Sequence, residues 1–180
     1  RAGGFYYLSD APKCPVDATS PSPPLNGSIL VLCKIIDAIM SSAQEAETGA
    51  AFLNTREAIP IKDTLEELGH PQGPIPIQLD NKCAVGIIND TMTQRRSKPM
   101  DMRFYWLKDR EIQKQINVYW KKGTQNLGDY PTKHHPAKHH QEVRPLYVAN
   151  ATTQSHARIF NNSPSVEVRI VNPRNSARVC

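Results

Sequence analysis

A mixed α/β fold is the class this sequence predicts, and three observations predict it. Runs rich in β-branched and aromatic residues, "GGFYYLSD" (residues 3–10) and "SILVLCKI" (28–35), read as strands. A long pattern of apolar and small residues at helical spacing follows Ser41 and Ser42, with Ala46, Ala50, Leu53 and Ala58 on one side. Strand and helix patterns then alternate to about residue 135, which is the mark of a sheet flanked by helices.

Each element has its own local reason. The near-continuous apolar character of 28–35 predicts a strand covered on both faces. Before it, "CPVDATSPSPPLNG" (14–27) is a loop, because Pro and Ser punctuate it throughout. Ser41 and Ser42 offer N-caps to the long helix. Pro60 lacks a donor, so a break or kink is expected near residues 58–59, with a second helical piece ending at Gly69. "IPIQLD" (75–80) is the next strand and "KCAVGIIND" (82–90) the next helix. A basic loop, "TMTQRRSKP", leads into a helix over 100–115, then the alternating strand "INVYWKKG" and a short last helix, "NLGDYPTKHH", which Pro131 shortens. "VEVRIVN" (166–172) has the composition of one strand, but its Asn- and Ser-rich surroundings read as linker or tail. The domain is therefore expected over 1–145, with 146–180 a C-terminal extension or tail.

Composition narrows the class. With 180 residues, 39% apolar and 22% charged, the chain supports one domain with a real core. No apolar run reaches the roughly 18 residues of a membrane span, so no membrane partner is expected. Four cysteines without CxxC spacing read as free thiols rather than a zinc knot or disulfide framework. Charge is polarised: residues 1–90 hold 6 Lys/Arg and 11 Asp/Glu, residues 91–180 hold 16 and 6, for net charges of −5 and +10. An acidic region beside a basic surface suits a polyanionic partner, and a solvated basic face accounts for the same numbers equally well.

Three acids stand out by position. Asp80 ends an apolar strand, where an unpaired charge is poor for stability but well placed for ligands, which gather outside the carboxyl ends of strands. Glu47 lies in the small-residue run at the start of the long helix, and Asp129 at the start of the last helix. Carboxylates that converge need cations between them, and Mg²⁺ takes oxygen ligands of this kind. Two such ions about 4 Å apart activate a water and stabilise the leaving oxygen in phosphoryl displacement. Among the basic residues, Arg95, Arg96 and Lys98 are the better candidates for phosphate contact, while Trp106 and Trp120 fit the core. The run "KHHPAKHH" holds His134, His135, His139 and His140 and reads as a partly ordered polar segment, with Zn²⁺ binding the alternative.

Four segments stand in a fixed order: "SSAQEAE" (41–47), "IQLDN" followed by "AVGII" (77–88), "KPMDMRFYWL" (98–107) and "NLGDYPTK" (126–133). By them, residues 3–145 resemble the ribonuclease H domain of copia-type retrotransposon polyproteins. The resemblance implies a ribonuclease H-like mixed five-stranded sheet flanked by helices. It implies a Mg²⁺-dependent endonuclease, a hydrolase holding two ions, that cuts RNA in RNA/DNA hybrids and tells the strands apart by the 2′-OH. Glu47, Asp80 and Asp129 take the positions of three of the family's four metal-binding carboxylates; Glu45 supports the helix end, and Asn81 or a nearby His orients the water. The implied partners are the hybrid and the reverse transcriptase region of the same polyprotein, and the implied location is intracellular, in cytoplasm or a virus-like particle.

One departure bears on activity. The family's first strand, with its catalytic Asp, precedes the "GGFYYL" strand, whereas this sequence starts at Arg1. The expectation is thus an N-terminally truncated fold lacking a central strand, with an open sheet edge that invites self-association. Enzyme activity is conditional on a replacement for the first carboxylate. The alternative is a non-catalytic ribonuclease H-like fragment that serves as a nucleic-acid-binding or self-assembling module.

Overall fold

The computed structural model describes residues 1–10, 17, 19, 27–37, 39–40, 42–92, 101–123, 126–148 and 164–171. Strand β1 (Ala2–Asp10) pairs antiparallel with β2 (Leu30–Lys34), with Ala2 opposite Lys34. Helix α1 (Ala43–Glu67) leads to β3 (Ile75–Leu79), α2 (Lys82–Ile88), α3 (Asp101–Ile112) and β4 (Ile116–Trp120). A 3₁₀ turn (Leu127–Thr132), helix α4 (Ala137–Tyr147) and strand β5 (Pro164–Val171) complete the order. The sheet runs β2-β1-β5-β3-β4. Strand β5 is antiparallel to β1 and parallel to β3, and β3 is parallel to β4, so the mixed α/β expectation holds.

The central place of β5 changes two expectations. Within the 146–180 segment, read as an extension or tail, residues 164–171 are a strand inside the sheet. The gap expected beside β1 is filled, and no open edge remains between β1 and β3. The physical reason is ordinary pairing: Val166, Val168 and Ile170 alternate with Ser165, Glu167 and Arg169, a period-2 pattern that suits a strand.

Alternation along β1 sorts the layers. Gly3, Phe5 and Tyr7 face one side: a Cβ on Gly3 would stand 2.2 Å from the Gly128 carbonyl oxygen, and the Phe5 ring meets Tyr147 of α4 edge-on at 5.0 Å. Gly4 and Tyr6 face α1, where a Cβ on Gly4 would stand 1.8 Å from Asn54 Oδ1. Successive side chains of a strand point to opposite faces, so α1 and α3 cover one face and the 3₁₀ turn with α4 covers the other. The core on the α1 side is Tyr6, Ala50, Ala51, Ala58, Ile77, Leu79, Ala84, Ile88 and Leu107, with Ile75, Ile116 and Val118.

Helix α1 begins where the serines indicated, with Ser42 Oγ accepting from Glu45 N at 3.1 Å. The break expected at Pro60 does not occur. Ala51, Thr55 and Ala58 before it and Ile61 and Leu65 after it pack on the same side, so tertiary burial carries the helix through the proline. Helix α4 departs from the partly ordered segment expected there: it starts directly after Pro136, which needs no N–H donor at a helix start.

Candidate functional site

One end of the sheet gathers the three acids. The carboxyl ends of β3 and β5 and the amino end of β1 lie together, because β5 is parallel to β3 and antiparallel to β1. Gln78 stands opposite Arg169, so the register extended by two residues brings Asp80 level with Val171, which pairs with Gly3. Strand β2 leaves the sheet at this same end, with Lys34 beside Ala2, and α1 starts from there with Glu47 in its second turn. Asp129 follows Gly128, whose carbonyl covers Gly3.

Each acid is held differently. The Trp120 indole donates to the Asp80 carbonyl at 3.1 Å, and Lys121 N donates to the Leu79 carbonyl at 2.9 Å. These bonds fix the backbone at the strand end. The Asp80 carboxylate lies against Gly123, where a Cβ would come within 2.8 Å of Oδ2, so a side chain there would push the carboxylate aside. The next residue, Asn81, spends its side-chain oxygen on the start of α2, accepting from Cys83 N at 2.9 Å and Ala84 N at 3.2 Å. Lys82 Nζ stands 4.2 Å over the Trp120 ring. Glu47 is buried, in a run with Thr48, Gly49, Ala50 and Ala51. Asp129 Oδ2 accepts from Lys133 Nζ at 2.6 Å, and Thr132 Oγ1 donates to the Asp129 carbonyl at 2.7 Å.

Sharing an end is not the same as forming a metal site. Among the described residues, no three His, Cys, Asp or Glu side chains gather closely enough to hold an ion. The Lys133 ammonium already neutralises Asp129, and the register puts a valine level with Asp80. The acids thus share an end of the sheet without forming a cluster of three among the described residues. What they offer is a partly exposed Asp80 carboxylate on a rigid backbone, able to accept hydrogen bonds from a ligand. Arg95, Arg96 and Lys98 lie outside the described residues.

The histidine run takes a structural part that sequence reasoning missed. Tyr130 stacks on His135, with ring centroids 5.2 Å apart and planes at 11°, and its hydroxyl meets His140 Nδ1 at 2.6 Å. His135 and His139 lie 4.4 Å apart by ring centroids. The Tyr147 hydroxyl donates to the Leu127 carbonyl, and burial, with Tyr130 and Asp129 nearby, pushes that phenol above its ordinary pKa. The imidazoles thus pack α4 onto the turn that carries Asp129. The signal in the sequence was the spacing of Tyr130, His135, His139 and Tyr147, aromatic groups on either side of a helix start.

The fold and its acid-bearing end define an α/β module with a mixed sheet and helices on both faces. The particular likeness is to a retrovirus-related Pol polyprotein from transposon TNT 1-94 of Nicotiana tabacum, 28% identical over 107 residues. The match takes in 59% of this chain and 8% of that relative, and it supports a retrotransposon polyprotein region. No family model matches the sequence, and no solved structure matches the fold. No described helix is long and apolar enough to cross a membrane.

Proposed function

We propose that this chain is the ribonuclease H-like region of a retrotransposon polyprotein and that, in the arrangement described, it binds an RNA/DNA hybrid without cutting it. The observation that carries this reading is the strand beside Asp80: β5 fills the sheet's central position and brings Val171, not an acid, level with Asp80. The likeness to a Pol polyprotein supports the polyprotein origin. The net charge of +10 over residues 91–180 supports a phosphate-rich partner, since lysine and arginine gain affinity by releasing counterions from nucleic acid. By the same reading its other partner is the reverse transcriptase region of its polyprotein, inside the cell or a virus-like particle.

A second reading is Mg²⁺-dependent cleavage through Glu47, Asp80 and Asp129, favoured by their shared end of the sheet. An end-labelled RNA/DNA hybrid incubated with Mg²⁺ and either this chain or its Asp80→Asn variant separates the two. Binding by both proteins with no shortened RNA is the expected result. Shortened RNA that Asp80→Asn abolishes overturns the binding-only reading in favour of the second.

A further inference from the structure

Between α1 and α3, away from the acids, lies an open cavity of about 320 Å³ lined by Phe52, Arg56, Met102, Arg103 and Trp106. That volume falls at the low end of ligand pockets, roughly 300–1,000 Å³. Its floor is aromatic: Phe52 meets Trp106 edge to face at 5.2 Å. Two guanidinium groups frame it, with Arg56 and Arg103 carbons 5.6 and 5.7 Å from the Phe52 centroid. Met102, 84% exposed, stands at the rim.

The charges on these two helices divide sharply. Helices α1 and α3 carry five cations: Arg56, Lys62, Arg103, Lys108 and Arg110. Three have carboxylate partners at 2.6 Å: Lys62 with Glu66, Lys108 with Asp90, and Arg110 with Asp109. The two at the cavity, Arg56 and Arg103, pair with no carboxylate among the described residues. A pocket with half-buried aromatic rings, guanidinium groups over the Phe52 ring and no carboxylate partner for Arg56 or Arg103 among the described residues complements a ligand that is flat, aromatic and anionic.

We propose that this cavity binds single-stranded nucleic acid, taking one unstacked base against Phe52 and Trp106 while Arg56 and Arg103 hold the adjoining phosphates. Stacking on an aromatic ring tolerates any base, and guanidinium forks match phosphate oxygens in pairs. A duplex keeps its base faces stacked, so only a single strand presents one to the ring. The inference stands on this cavity alone and holds whether or not the acid-bearing end cuts RNA.

The test is fluorescence anisotropy of a labelled oligothymidylate of about 12 nucleotides, a length that exceeds one pocket and lacks secondary structure. Arg56→Gln and Arg103→Gln are each expected to weaken binding about tenfold and to lower the salt slope by about one. Arg103→Lys keeps the charge but loses the fork, and is expected to recover only part of the loss. Phe52→Leu keeps an apolar side chain but removes stacking, and is expected to weaken binding while melting stays near the parent. Lys114→Gln removes the same charge elsewhere and is expected to bind like the parent. The proposal is overturned if the arginine variants bind like the parent or if Lys114→Gln loses as much. It is also overturned if Arg56→Gln and Arg103→Gln weaken binding of an RNA/DNA duplex of equal length as much as they weaken binding of the oligothymidylate, or if an acidic tyrosine-rich peptide displaces the strand as well as unlabelled oligothymidylate does.

Discussion

At the scale of single residues, the contact that fixes α1 on the sheet is polar. Asn54, fully buried, donates from Nδ2 to the Gly3 carbonyl at 3.2 Å and the Ala50 carbonyl at 2.8 Å. Its Oδ1 accepts from the Tyr6 hydroxyl at 2.7 Å, and burial pushes that phenol's pKa well up, so it remains a donor. Removing one member leaves buried polar groups without partners, so Asn54→Ala is expected to lower unfolding free energy by about 3 kcal/mol in urea titration. Glu111 gives a pH signature. Burial raises its carboxyl above the ordinary range, against the weaker opposing pull of Lys114 at 3.6 Å, and its Oε2 accepts no hydrogen bond. An acid with a raised folded pKa contributes fully below its unfolded pKa and loses that contribution as pH rises through the folded value. Glu111→Gln is therefore expected to be more stable than the parent at neutral pH, with the gap closing below about pH 4, where both are uncharged. Urea midpoints at the two pH values check this; a gap that widens in acid contradicts it.

At the scale of elements, the features of the fold that the sequence declares are local ones. The serines before α1, the apolar run of β3 and the alternation in β4 each declare themselves within a few residues. Pro60 was misleading, because its missing hydrogen bond is a local fact while the burial of Ala58 and Leu65 on one face is a tertiary one. If packing carries the helix through that proline, Pro60→Ala restores a donor without disturbing the core, since Pro60 is exposed. The expected gain is about 1–3 kcal/mol, read as a higher urea midpoint. Unchanged or lower stability contradicts the account of a helix held against its own proline. Strand β5 was harder for a different reason. Its alternation marks a strand, but its neighbours β1 and β3 stand more than 80 residues earlier, and no local pattern names a partner at that distance.

At the scale of the whole molecule, the candidate site was legible as a set of positions but not as a chemical centre. Asp80 at a strand end, Glu47 in a small-residue helix start and Asp129 on the last turn all come to one end of the sheet. Whether they can share an ion depends on Lys133, which pairs with Asp129 from four residues on, and on groups remote in sequence from Asp80: Gly123 against its carboxylate and the residue of β5 level with it. The central claim is that residues 164–171 form the middle strand of the sheet, and amide hydrogen exchange resolved along the chain tests it most directly. A middle strand shares the sheet's global stability, so the amides of Val166–Ile170 are predicted to exchange as slowly as those of Tyr6 and Ile77. Exchange of that segment at the rate of an unstructured peptide, with Tyr6 and Ile77 still protected, would contradict the account and reopen the place beside Asp80.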